Sequence, residues 1–410
     1  MPGPHLDQVD AMRPLKQVGV VTTHCLMFFA PATAGVTAGA VLDVSHVTRF
    51  AFLFLSAAML VYAYPTLQRR DLGRFWRRRL LAVGLPYLGW TVVYFAVEAA
   101  HLEGLPGAFD PSGALGASLP ADLHRFGTLL LEGYYQLYYL VVLLEFCVVF
   151  PAFLWLLRRS RRRPRRLLAI SVATQLLLTS LVHWAVLPGW MRGFYATREL
   201  WNYQLFLVAG GLLGMHYRAV DAWLRRRWRF VAGATLASLA LAEGWYYLAA
   251  LGVVPALAGE SASDPFQPVL VPLFGGVTLC LYLAGSALTG GRRPARVRAW
   301  VASAAVNAYG VYLSQVLFII ALTLLGWGSL EAVLPWPLVV AGAVVVTYAG
   351  GLLLTSLLAR LPGARMTAGR PRVTWRAAAL GGPGRGAGPD PGPPPGPARG
   401  RELVGGPVAG

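Results

Sequence analysis

The sequence predicts an all-α protein, a polytopic transmembrane helical bundle of about ten helices with both termini in the cytoplasm. Three observations carry that prediction. Apolar stretches long enough to span a bilayer recur along the chain, charge is scarce (13% of residues against 56% hydrophobic), and the arginines cluster in alternate connections between the apolar stretches.

Hydrophobic runs place the spans at Leu15 to Ala40, Thr48 to Thr66, Leu80 to Ala99, Gln136 to Leu157, Leu167 to Leu187, Trp201 to Val220, Phe230 to Val253, Val269 to Thr289, Trp300 to Gly326 and Pro337 to Leu361. Each is at least about 18 residues, the length that crosses roughly 30 Å of hydrocarbon. The first runs too long for a signal peptide and is expected to act as an uncleaved anchor.

Orientation follows from arginine. Six lie between Arg69 and Arg79, seven between Arg158 and Arg166, five between Arg218 and Arg229, and four between Arg292 and Arg298. The opposite connections hold Arg125, Arg192 and Arg198, with Arg49 at a helix boundary. A ratio of 22 to 4 in short loops satisfies the positive-inside rule with an inner N-terminus and an inner C-terminus, placing the protein in the cell inner (plasma) membrane.

The connection from Ala100 to Gly127 carries Glu103, Asp110 and Asp122 among prolines and glycines, as expected of an outward loop. Residues 1–362 form the membrane domain, and 363–410, rich in Gly and Pro without a period, read as a disordered cytoplasmic tail.

The net charge of +18 is arginine in topogenic clusters, with Lys16 the only lysine, so the composition argues against a nucleic-acid partner and for a lipid bilayer. Cys25, Cys147 and Cys280 fall in separate apolar segments without metal-ligand spacing and read as small core residues, so no metal site is expected.

Ionisable residues inside spans are the informative ones, because a buried charge costs at least about 2.5 kcal/mol even on insertion scales. Arg13 and His24 are eleven residues apart, which puts them within about 20° on one helix face and about 16.5 Å apart along it. That geometry suits a long donor with an anionic head at the arginine and a reactive end at the imidazole. The alternative leaves Arg13 a membrane anchor and His24 a buried neutral histidine. Among Arg77, Arg78 and Arg79, the last is nearest the apolar segment and can turn inward, whereas the first two read as solvated. Glu145 and Glu243 lie within spans and call for partners; Glu145 follows the Tyr135, Gln136, Tyr138, Tyr139 cluster and is the second candidate for a site group. His183 and His216 sit at span ends and read as anchors.

The segment VDAMRPLKQVGVVTTH resembles the opening motif of the acyltransferase 3 family, an arginine and a histidine separated by ten residues in the first membrane helix, with Asp10, Arg13 and His24 at the matching positions. RFAFLFLSAAMLVYAYP, FWRRRLLAVGLPYLGW, YYQLYYLVVLLEFCVVFP, NYQLFLVAGGLLG and NAYGVYLSQVLFI resemble further blocks of that family in order, across most of residues 7 to 362. Departures stand at Ala57, Ala82, Gln136 and Ser314, and Ala82 removes a positive charge.

The resemblance implies an O-acyltransferase. It would use acyl-coenzyme A, often acetyl-coenzyme A, as co-substrate with no bound cofactor, to acylate a hydroxyl of a cell-envelope polysaccharide, a lipid-linked sugar, peptidoglycan or a secondary metabolite. His24 would be catalytic with Arg13, Arg79 and Arg13 would hold the donor, and Asp10, Glu145 and Gln136 would stand behind them. The competing readings are a transporter or export component for a polysaccharide or lipid-linked sugar, and an acyl-coenzyme A sensor without catalysis.

Overall fold

The computed structural model describes residues 7–31, 34–100, 119–184, 199–253, 264–290 and 294–373, and among them every regular element is a helix. In chain order these are α1 (Asp7–Phe29), α2 (Gly35–Ser45), α3 (Val47–Ala63), α4 (Leu72–Ala99), α5 (Leu119–Glu132), α6 (Tyr138–Arg159), α7 (Pro164–His183), α8 (Gln204–Met215), α9 (Tyr217–Arg226), α10 (Trp228–Ala250), α11 (Leu270–Thr289), α12 (Ala295–Leu324), α13 (Trp336–Leu358) and the single turn α14 (Ala364–Thr367). Glu103, Asp110, Arg192, Arg198, Arg292 and the tail from residue 374 lie outside the described residues.

Among the described residues six stretches are long and apolar enough to cross a membrane: Gly35–Ala63, Arg69–Ala99, Tyr135–Arg159, Leu270–Thr289, Ala295–Leu324 and Trp336–Leu358. The chain is thus a multi-pass membrane protein. The other four expected spans are helical but differ from these six in composition or length. α1 has Asp7, Asp10, Arg13 and Lys16 in its first ten residues. α8 is apolar but only 12 residues, about 18 Å of rise, because the chain turns at His216 into the polar α9. α7 begins at an arginine pair and α10 carries Glu243.

Two boundaries depart from the sequence reading. Leu15 to Ala40 is not one helix, since α1 ends at Phe29 and Pro31, with no N–H to give, stands where a continuing helix would need one. The connection from Ala100 to Gly127 is helical from Leu119 onward, and α5 is held by the buried Glu98 carboxylate, which pairs with Arg125, and by the Tyr87 hydroxyl, 2.9 Å from the Leu129 carbonyl.

The first compact unit continues to Arg372, ten residues beyond the expected domain end. Trp90 Nε1 donates to the Thr367 carbonyl at 2.9 Å, and Met366 fills the space over Gly89. These contacts order residues whose composition alone reads as tail.

α1 is enclosed by protein, packing against α2, α3, α11, α12 and α13. That position is dictated by its side chains, because polar groups in a bilayer must face the bundle interior. α3 and α8 approach closely for a different reason: Gly210 and Gly214 sit four residues apart on α8, and a Cβ on either would strike the carbonyl of Phe54 or Ala58. Small residues at this spacing let two membrane helices meet backbone to backbone. The described arginines of the four clusters are exposed, apart from the half-buried Arg79.

Candidate active site

The inward face of α1 carries Arg13, Lys16, Gln17, Val20 and His24, the i, i+3, i+4, i+7, i+11 spacing of one helical stripe about 100° wide. Lys16, Gln17 and Val20 are buried, while Arg13 and His24 are half-buried. α1 runs antiparallel to α3: Lys16 Nζ stands 3.2 Å from the Phe52 ring centroid, Gly19 faces Thr48, and the Thr23 hydroxyl lies 3.3 Å from the Ser45 carbonyl.

At the start of the stripe, Arg13 Nη1 pairs with Asp10 Oδ1 at 3.1 Å, the arginine side chain 40% exposed and the aspartate 17%. In the middle, Phe52 packs edge-on to Tyr139 (4.7 Å) and against Tyr312 (5.9 Å), and Gln17 Nε2 approaches Gln315 Oε1 at 3.5 Å. Farther along, the His24 ring lies 4.9 Å from that of Tyr135, with Arg49 and Gln315 as polar neighbours. Tyr135 takes φ of 34°, and its hydroxyl donates to Met27 Sδ at 3.4 Å, which seats the ring on α1 beside the histidine. Arg49 Nη2 donates to His46 Nδ1 at 2.9 Å. A guanidinium has no acceptor, so His46 Nδ1 accepts and its proton sits on Nε2.

Several buried polar atoms of this region have no hydrogen-bond partner among the described residues: His24 Nδ1, Gln17 Oε1, Gln136 Oε1, the Tyr139 hydroxyl and Gln315 Nε2. They come from α1, the turn before α6, α6 itself and α12, and together they border one region of the bundle. Buried polar atoms in native structures are nearly always satisfied, so this region offers donors and acceptors that a bound molecule could engage. An imidazole nitrogen left free can exchange a proton with a hydroxyl.

Arg13 and His24 share the stripe, and Asp10 stands behind Arg13. Arg79 turns inward over the Tyr64 ring (4.9 Å) with a buried, unpartnered Nε, while Arg77 and Arg78 are exposed. Its neighbours are Tyr64 and Cys147, not residues of α1, and Ala82, one turn on, is exposed. Gln136 is buried as a strut: its Nε2 donates to the Tyr94 hydroxyl at 2.8 Å and its carbonyl accepts from Tyr312. Glu145 is not brought to His24; it is exposed on α6, with Glu199 as a neighbour. Among the described residues no group of three or more His, Cys, Asp or Glu is placed to hold a metal ion.

Residues 6–356 match the family model described as an acyltransferase domain, that of acyltransferase 3. The chain belongs to the acyltransferase 3 family. No curated protein and no solved structure matches it. The matched region of this membrane acyltransferase runs from the start of α1 almost to the end of α13 and contains every site residue named above.

Sequence reasoning missed four residues that the acyltransferase brings to the stripe. Lys16 and Gln17 were visible in principle, since they complete the helical spacing begun by Arg13. Arg49 reads as a boundary charge in the sequence, yet it is the third residue of α3 and faces His24. Gln315, 298 residues from Gln17, carries no local signal.

Proposed function

We propose that this protein is a membrane O-acyltransferase that moves an acyl group, acetyl in the simplest case, from acyl-coenzyme A to a hydroxyl of a cell-envelope carbohydrate, a lipid-linked sugar or a secondary metabolite. It works in the cell inner membrane with both termini cytoplasmic, so the donor enters from the Arg13 end of α1. Arg13 takes the anionic head of the donor, Arg79 contributes positive charge at the inner end of α4, and the thioester reaches His24. There the imidazole accepts the proton of the acceptor hydroxyl as its oxygen attacks the thioester carbon; the carbon–sulfur bond breaks, and the proton passes to the departing thiolate. Enclosure in the bundle keeps water from the thioester.

The observation that carries this reading is the unpartnered His24 Nδ1 on the same interior stripe as Arg13. The test is to incubate membranes with labelled acetyl-coenzyme A and follow the label into lipid, polysaccharide and small-molecule fractions, with wild type and His24→Ala side by side. Label that moves in the wild type and stays with the donor in the variant, at equal abundance and equal detergent melting, supports the reading. Substrate flux across the membrane without acyl loss, surviving His24→Ala, overturns it in favour of transport.

A further inference from the structure

The chemistry above leaves Lys16 without a task. It is the single lysine among 36 basic residues, and its side chain is buried where the described clustered arginines, Arg79 apart, are exposed. No carboxylate pairs with it among the described residues, since Asp10 on the same helix is taken by Arg13. A phenyl face offsets only part of the cost of removing an ammonium from water, so a buried lysine held by Phe52 alone is an amine whose charged form an arriving anion would stabilise.

The position says which anion. Lys16 stands three residues beyond Arg13, about 4.5 Å farther along α1 and turned by about 60°. Two cations one helical turn apart, the first partly open and the second enclosed, match two adjacent phosphoryl groups of a diphosphate, which a single carboxylate would not need. Beyond Lys16, the next polar side chains are the amides of Gln17 and Gln315, with an unpartnered oxygen on one and an unpartnered nitrogen on the other. Those are groups for an uncharged, amide-bearing arm, and about 12 Å of helix remains between Lys16 and His24 for it.

We infer that Lys16 is a donor-binding residue that, with Arg13, clasps the diphosphate of acyl-coenzyme A and so fixes how deep the thioester reaches. The inference rests on the acyl-coenzyme A reading above and adds the residue that sets the donor's register. The lysine holds the inner phosphoryl group, and the pantetheine arm runs past Gln17 and Gln315 towards His24.

The test is equilibrium binding of coenzyme A and of pantetheine, which lacks the diphosphate, to purified full-length protein in lipid nanodiscs. Wild type, Lys16→Met and Lys16→Arg are compared. Lys16→Met is expected to weaken coenzyme A by about tenfold or more, leave pantetheine within about twofold, and be largely rescued by Lys16→Arg. Equal affinity of Lys16→Met and wild type for coenzyme A overturns the assignment, as does an equal loss for both ligands, which would make Lys16 a packing residue. Wild type that binds neither ligand sinks the donor reading itself, a result distinct from the failure of Lys16 alone. If Lys16→Met does not accumulate, Lys16→Gln removes the charge while keeping a polar chain, and the same pair of affinities decides.

Discussion

α1 and α13 pack against each other and are opposites in design. α13 is apolar almost throughout and turns Leu338, Val345, Leu353 and Leu357 outward, so its surface is the surface that lipid accepts. α1 turns Arg13, Lys16, Gln17 and His24 inward and is walled by other helices. The rule of a soluble protein is inverted here: the outer layer is written in hydrophobicity, and the polar side chains of α1 are turned to the interior.

The sharpest way to break the comparison is to truncate one side chain on each helix. His24→Ala is expected to lower acyl transfer by about 10²- to 10⁴-fold, the contribution of a positioned proton acceptor, while leaving detergent melting unchanged. Val345→Ala, on the exposed face of α13, is expected to leave transfer unchanged. A similar loss in both, read by label transfer from acetyl-coenzyme A, would mean that the stripe on α1 has no special role.

Packing gives the next largest effect. Gly210→Leu forces a side chain into the Phe54 carbonyl of α3 and is expected to destabilise the fold by about 3 kcal/mol, seen as a lowered melting midpoint. Because α3 also carries Arg49 and Phe52, transfer should fall with it. Gly233→Ala on α10 meets open space and should be neutral or raise the midpoint slightly, since a helix-interior glycine gives up about 0.5–1 kcal/mol relative to alanine.

How much of this was legible beforehand depended on whether the signal was local. The Arg13 and His24 spacing is read from one helix, and so is the distinction of Arg79 from Arg77 and Arg78 by distance into an apolar run. The break at Pro31 is also local, but a continuous hydrophobic count runs straight through it, because alanine, proline and threonine around it do not lower apolarity enough. Arg49, Tyr135 and Gln315 are different. Their meeting with His24 is set by the antiparallel register of α1 and α3, by a positive-φ turn ahead of α6, and by a helix about 300 residues away, none of which leaves a pattern in a short window.

The arginines at the start of α4 test the local part of that reading. Arg79→Gln is expected to lower acyl transfer by about tenfold, roughly the loss of one charge-assisted contact, while Arg77→Gln changes it by less than about twofold. Equal effects, measured as initial rates at matched abundance, would show that the inward turn over Tyr64 has no functional consequence.

The smallest expected effect is at Glu145, and it separates sequence position from structural position. Its place in the apolar run of α6, next to a tyrosine cluster, makes it look like a site group. In the fold Glu145 is exposed. Glu145→Gln removes the charge and keeps the shape, so transfer should stay within about twofold of wild type and stability should shift by less than about 0.5 kcal/mol. Glu98, in contrast, is buried and paired with Arg125, so Glu98→Gln should cost about 2 kcal/mol by stripping a charged partner from α5. A loss of transfer at Glu145 exceeding the loss of stability at Glu98 would mean that the exposed face of α6, and not the stripe of α1, borders the reacting groups.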